Sequence, residues 1–303
     1  MSDIIGIGAC VLDTLISVTT FPEEDKKVPA ASTLQAGGGP SATAIVAAAK
    51  LGEKVAFIGN LTDDTIGQFL KQDFEGYSVN TDGIRMLAGH RPFASYVLLS
   101  EDNGSRTCIY DRGDLPGTAL DAQHIEMLKR AKLLEVDGND LAAAVEAAKI
   151  VRASGGKVLY DAGGLYEGVE ALLKETDILI PSEEFALRYT GAQTVEDAAE
   201  KLFEKFNIEV IVITQGKHGG FLFDGKTRQH YPTYPATVVD SNGAGDVFHG
   251  AFSAAVVKGY DYLKCCHFAS AVAALKCEGI GARRSVPTFE TVKEYMRRNG
   301  YEL

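Results

Sequence analysis

The sequence predicts an α/β fold, with a mainly parallel central sheet flanked by helices and a small antiparallel β lid beside it. Three observations carry that expectation. Short β-branched runs alternate with helical patterns over most of the chain, the rhythm of βαβ units. Around residues 101–104 the pattern changes to a hairpin signal, two strands of alternating apolar and polar residues about a Glu-Asp-Asn-Gly turn. Turns of small residues near 37–43 and 240–246 open helices, where unpaired backbone donors become available to a ligand.

The chain has 303 residues, enough for one large α/β unit or two domains, and its 46% hydrophobic and 23% charged residues are ordinary globular values. A net charge of −11 argues against a nucleic-acid binder. It also gives an incoming nucleotide a repulsive average field, so nucleotide binding would need local donors and Mg²⁺. The five cysteines are odd in number and include no C-x-x-C, which supports neither a disulfide framework nor a zinc site and leads us to expect a reducing cytoplasm. The N-terminus lacks a basic region and carries Asp3 and Asp13, so it does not read as a signal peptide. No apolar run approaches ~18 residues, and no membrane span is expected. With no repeat or low-complexity linker, the expectation is one α/β core with an inserted lid.

Residues 4–10 form a buried-strand run that leads to Asp13 in a strand-end turn. Gly6-x-Gly8 does not extend to a dinucleotide fingerprint, because Val11 holds the third glycine position and no phosphate-facing helix follows. Strands at 15–20 and 28–35 flank a charged bend at 23–27. Gly37-Gly38-Gly39-Pro40-Ser41-Ala42-Thr43 then opens an alanine-rich helix to Leu51, and its glycines allow close backbone approach to a ligand. A strand at 55–60, a helix at 64–73 and a strand at 79–84 follow; strands 93–100 and 106–112 join those at 15–20 and 28–35 in the lid.

Downstream, strands at 133–136, 158–161, 177–180 and 209–214 alternate with helices at 140–153, 165–174, 183–190 and 195–206. Residues 220–227 fit G-x-x-x-x-G-K-T letter for letter, yet a phosphate loop needs a helix at the Lys-Thr. Here Phe221 to Phe223 is strand-like, Asp224-Gly225 is a turn signal and Arg228 to Tyr231 returns before Pro232, so the segment reads as a β-hairpin. Helices at 262–276 and 289–298 complete the chain.

The stretch from Val238 to Gly250 decides the function. A strand end at 237–239 gives way to Asn242-Gly243-Ala244-Gly245, a turn without bulky side chains, and a helix follows with Phe248, Phe252 and Ala255 on one face. Backbone N–H groups at such a helix start can hold a transferring phosphoryl group. Asp246 sits within that anion site; facing a substrate hydroxyl, it can take the proton as the oxygen attacks phosphorus.

These residues resemble the D-x-x-G-A-G-D signature of the ribokinase/PfkB family of sugar and nucleoside kinases, and the resemblance runs nearly end to end. It implies a ribokinase-like fold with a core of residues 1–13, 34–88 and 113–303 and a lid of 14–33 and 89–112, the lid also serving as a homodimer surface. It implies in-line transfer of the ATP γ-phosphoryl group to a sugar hydroxyl, with Asp246 as base and Gly243, Ala244 and Gly245 as donors. Asp13, Gly38 and Gly39 would bind sugar, with Thr43 where the family has asparagine. Thr214, Gly216 and Gly219 would lie along the ATP phosphates, and Asp240 and Ser285 fall where the family binds K⁺. The family's N-x-x-E element for Mg²⁺ is replaced by Ser182-Glu183-Glu184-Phe185, leaving Glu183 to act through water.

Tyr96, Tyr110 and Arg112 have a spacing similar to 2-keto-3-deoxygluconate kinases, but Asp161-Ala162-Gly163-Gly164 lacks the arginine those kinases add. The Gly-Gly-Gly-Pro-Ser-Ala-Thr and Gly-Asp-Val-Phe-His-Gly segments look like the sulfofructose kinase branch, although Asp137 stands where an arginine is expected. An anionic or modified hexose is the preferred substrate. A nucleoside kinase and a catalytically silent sugar-binding protein are the alternatives.

Overall fold

The computed structural model describes residues 2–102 and 105–303, so the Asn103-Gly104 turn expected in the lid hairpin lies outside the described residues. The first half contains β1 (Ile4–Ile7), β2 (Val11–Val18), β3 (Ser32–Gly38), α1 (Pro40–Lys50), β4 (Val55–Thr62), α2 (Thr65–Gly76), β5 (Asn80–Leu87), β6 (Ala94–Ser100) and β7 (Arg106–Asp111). Next come α3 (Ala122–Leu128), β8 (Leu133–Val136), α4 (Leu141–Ala153), β9 (Lys157–Ala162), α5 (Glu170–Leu173), β10 (Ile178–Pro181), α6 (Glu183–Thr190) and α7 (Val195–Phe206). The chain ends with β11 (Val210–Thr214), β12 (Gly220–Phe223), β13 (Arg228–Tyr231), α8 (Ala244–Val257), α9 (Tyr262–Cys277) and α10 (Phe289–Arg298).

Among the described residues nine strands form the main sheet in the order β13-β12-β11-β10-β9-β8-β1-β4-β5, parallel from β11 to β5. Ile-Ile-Gly-Ile, Ile-Leu-Ile-Pro and Val-Ile-Val-Ile are buried throughout, the near-continuous apolar runs of strands covered on both faces. The two-residue side-chain period divides β1 between two cores: Ile4 joins α1, α8 and α9 on one face, while Ile5 and Ile7 join α4 and α7 on the other. The segment that matched a phosphate-loop expression is the antiparallel pair β12–β13.

The small sheet has the order β3-β2-β6-β7; its outer pairings are antiparallel and its central β2–β6 pair is parallel. It joins the core through the short β1–β2 and β3–α1 links, and β7 is exposed along its length.

Four local expectations are corrected. β2 starts at Val11, so Asp13 is inside a strand and not in a strand-end turn. β3 runs through Gly38 because Gly37 and Gly38 pair with Leu12 and Val11. The helix expected at 165–174 is only the short α5, since Gly168 adopts φ +80 just before it. Residues 237–239 have no strand partner: Val238 and Val239 are 64% and 58% exposed, and Val239 N–H donates to the Cys277 carbonyl at the end of α9.

The carboxyl ends of the parallel strands converge, bringing Gly8, Asp137, Asp161, Ser182 and Thr214 to one edge of the sheet. Open α/β sheets bind ligands at that edge. Helix α8, buried between α1 and α9, starts there.

Candidate active site

Gly243 caps α8 in the left-handed region (φ +70), and a Cβ there would come within 2.4 Å of the Ala282 methyl group. Only glycine makes this turn without strain. Val247 N–H closes the first helical turn on the Gly243 carbonyl, and Ala244 N–H already donates to Ser241 at 3.2 Å. The expected cradle is therefore revised. The Ala244 donor is engaged within its own turn, whereas Gly245, exposed and with open space beside it, stands in the first turn, where donors lack a carbonyl one turn back.

Asp246 is half-buried beside these donors. Its pKa is pushed up to about 7, first by burial and then by Asp161; His249 opposes the rise, and Asp13 and Asp137 add to it. A carboxyl group poised near neutrality is suited to accept a proton.

Beneath Asp246 lies a set of buried groups that sequence reasoning did not assign to the site. Asp137 accepts from the N–H groups of Ala9 (2.9 Å), Ser41 (3.1 Å) and Asn139 (2.9 Å), tying β1 and α1 to the end of β8. Glu135 is fully buried; Ser41 Oγ reaches its Oε2 at 3.3 Å, and its Oε1 has no hydrogen-bond partner among the described residues. Burial raises both carboxyl pKa values, that of Glu135 strongly. Asp161 Oδ2 lies 3.1 Å from His249 Nδ1, and His249 Nε2 lies 3.2 Å from the Ile180 carbonyl. The available signal was positional: these acids end adjacent parallel strands.

On the other side of Asp246 the lid meets α1. Asp13 Oδ1 accepts from Ser95 Oγ at 2.6 Å, and its pKa is raised by burial. A Cβ on Gly38 would come within 2.0 Å of Asp13 Oδ2, so the glycine makes room for that carboxylate. Thr43 is fully buried and does not face open space; its hydroxyl takes the Nε–H of Arg283 at 3.5 Å. Arg283, also missed, is 3% exposed, donates to the Gly38 carbonyl at 2.7 Å, pairs with Asp73 and lies over the Phe74 ring. It braces the glycine loop from behind.

The Tyr96–Tyr110–Arg112 grouping does not survive the register. Asp13, Ser95 and Tyr110 are direct partners across the lid, as are Thr14, Tyr96 and Ile109. Neighbouring rows point to opposite faces, so Tyr96 lies on the side away from Asp13. Arg112 instead lies 5.8–5.9 Å from the rings of Phe93, Tyr110 and Tyr166, and no carboxylate pairs with it among the described residues. Tyr166 reaches it from the core, so the guanidinium bridges lid and core.

Behind the start of α8 a cavity of about 400 Å³ is lined by Thr214, Gly216, Gly219, Gly245 and the apolar wall Ala273, Ala274 and Cys277. This suits a nucleotide whose phosphates reach the helix start and whose base lies on the apolar wall.

The family model described as pfkB family carbohydrate kinase matches residues 1–289. The chain belongs to that family. This PfkB-family kinase is 26% identical over 291 residues to the 5-dehydro-2-deoxygluconokinase of Clostridium perfringens, covering 88% of this chain and 85% of that one. It is 25% identical over 300 residues to the bifunctional ribokinase/ribose-5-phosphate isomerase A of Fructilactobacillus sanfranciscensis, covering 96% of this chain and spanning 56% of that protein's length. It is similar in structure to the ribokinase of Arabidopsis thaliana complexed with ribose and ATP, with a TM-score of 0.87, 26% identity, and 98% and 99% of the two chains covered. Among the described residues no helix is long and apolar enough to cross a membrane.

The cation positions of this PfkB-family kinase differ from one another. Glu183 Oε1 accepts from Gln215 Nε2 at 2.8 Å, which engages one of its two carboxylate oxygens. The Asp240 carboxylate takes the N–H groups of Asn242 (2.8 Å) and Gly281 (2.9 Å), and Ser285 Oγ donates to the Ile280 carbonyl at 2.8 Å. The expected potassium ligands are thus engaged with their own chain.

Proposed function

We propose that this protein transfers the γ-phosphoryl group of ATP to a hydroxyl of a monosaccharide, with Asp246 as general base. One observation carries the reading: a carboxyl group whose pKa is about 7 stands beside a glycine-built helix start that opens on a nucleotide-sized cavity. Asp246 takes the hydroxyl proton as the sugar oxygen bonds to the γ-phosphorus and the bond to the bridging oxygen of ADP breaks. Gly245 N–H, with the Gly243 turn, faces the charge on the transferring group. Asp13, supported by Ser95 and accommodated by Gly38, accepts from sugar hydroxyls. Thr214, Gly216 and Gly219 line the nucleotide's path. A magnesium ion, when bound, neutralises phosphate charge, and Glu183 offers a carboxylate oxygen to its water shell.

The acceptor we favour is an anionic or modified hexose. Support comes from Arg112, a guanidinium held among three rings with no acidic partner in the described residues, because such a fork suits a carboxylate or sulfonate. The relative from Clostridium perfringens, named 5-dehydro-2-deoxygluconokinase, supports the same class of acceptor. The exposed outer row of the lid, Tyr96 and Ile109, is the surface we assign to contact between two copies. The test is an ATP-consumption screen over neutral sugars, sugar acids, sulfosugars and nucleosides. Turnover confined to a nucleoside would replace the sugar, and ATP binding without turnover on any acceptor would favour a silent sugar-binding protein.

A further inference from the structure

Lys276, near the end of α9, has no exposed surface. Its Nζ donates to the Asp240 carbonyl at 2.7 Å and to the Asn242 carbonyl, and it lies 3.8 Å from Asp240 Oδ2. An ammonium taken out of water is tolerated only where oxygens replace its hydration. Here two backbone carbonyls and a carboxylate do so.

Those oxygens belong to the turn that delivers Gly243 and the start of α8. Potassium bound within a protein has the same requirement, a shell of carbonyl and carboxylate oxygens in place of water. The two positions expected to bind it are Asp240, whose carbonyl holds the lysine and whose carboxylate caps Asn242 and Gly281, and Ser285, whose hydroxyl is turned to Ile280. These residues do not fit a free cation as well.

We propose that the Lys276 ammonium is a built-in monovalent cation, and that this kinase needs no potassium. Tethered through α9, the charge holds the carbonyls of Asp240 and Asn242 turned back toward it, which leaves the donors of the following helix start facing the cavity. Lys276 is thus a positioning residue for the anion cradle. Burial lowers its pKa and the neighbouring Asp240 works against that fall. The catalytic consequence rests on the kinase reading, whereas occupation of the cation position does not.

The test compares potassium chloride with choline chloride at equal ionic strength, reading the thermal midpoint and the calorimetric ATP affinity. Wild-type protein should show the same midpoint and an ATP affinity changed by less than about 2-fold, since a state already holding its cation gains nothing by linkage. In Lys276→Met, ATP affinity should fall by about 10-fold or more in choline and recover saturably with potassium or methylammonium. Stabilisation or tighter ATP binding by potassium in the wild type would overturn the proposal. So would a folded Lys276→Met that binds ATP normally in choline, or one whose loss no cation restores, which marks a lysine of structural value only. If that variant does not fold, the wild-type comparison decides alone. If the protein binds no ATP, the kinase reading fails while the thermal arm still reports on the cation position.

Discussion

His249 Nδ1 lies 3.1 Å from Asp161 Oδ2, both side chains buried, and His249 follows Asp246 by three residues on the same helix. The two atoms are close but not aligned as a good hydrogen bond. Burial lowers the His249 pKa and raises that of Asp161 strongly, so both favour their neutral forms. With Nε2–H directed at the Ile180 carbonyl, Nδ1 presents its lone pair to a carboxylic acid. An acid that resists ionisation thus lies under the one proposed to take up a proton during the reaction.

Asp246→Asn tests the base. It should lower kcat by about 10²–10⁴ while sugar and ATP still bind. Steady-state kinetics with calorimetric binding will check it, and near-normal turnover would remove the assigned role.

The pH profile follows from the sign of the Asp246 shift. The carboxyl must be ionised to accept a proton, and its pKa is raised from 3.8 to about 7, so kcat/KM should climb with pH and level off above about 7. Asp161→Asn, which takes away a second carboxyl whose ionisation is coupled to that of Asp246, should move that limb to lower pH. His249→Asn, which removes a ring whose protonated form lowers the Asp246 pKa, should move the limb the other way. A limb that stays in place in both variants would contradict the coupling.

Stability should run against activity at this residue. A folded pKa above the unfolded one favours the folded state below about pH 4 and loses that contribution as pH rises through 7. Asp246→Asn should therefore be more stable than wild type at pH 8, by at most about 4 kcal/mol, and the difference should shrink toward pH 4. Urea titrations at the two pH values measure it.

Arg112→Ala should raise KM for an anionic sugar by about 10–100-fold with kcat little changed, the scale of a lost charge-assisted hydrogen bond. Tyr96→Ala, on the opposite face, should leave KM near its original value. Equal effects from both would mean that the lid register does not govern recognition.

Arg283→Met should destabilise the fold by about 3–5 kcal/mol, because Asp73 and the Gly38 carbonyl lose a buried partner. A urea midpoint that falls with unchanged slope is the expected result.

Much of this protein can be read locally. The alternation of apolar runs and helical patterns anticipates the parallel sheet, because a strand covered on both faces must be apolar where it is buried, as Val210 to Ile213 are. The Gly243–Asp246 turn announces itself because left-handed backbone and close approach to Ala282 each demand glycine. The hairpin at residues 220–231 was legible against its phosphate-loop lettering for a similar reason: Pro232 and Asp224-Gly225 constrain the backbone where they stand.

What escaped sequence reading depends on partners distant along the chain. Nothing near Thr43 says that Arg283, 240 residues away, will take its hydroxyl, and nothing near Lys276 says that its ammonium will end between the carbonyls of Asp240 and Asn242. Spacing within one strand cannot reveal which row Asp13 joins, so the sequence does not show that Tyr96 lies on the face away from it. By itself the sequence determined the sheet, the glycine turn and the identity of the acid within it, since these follow from short-range conformational rules. Only the tertiary structure decided which charges meet, because burial, and with it the pKa of Asp246, is a property of the packed assembly of strands and helices.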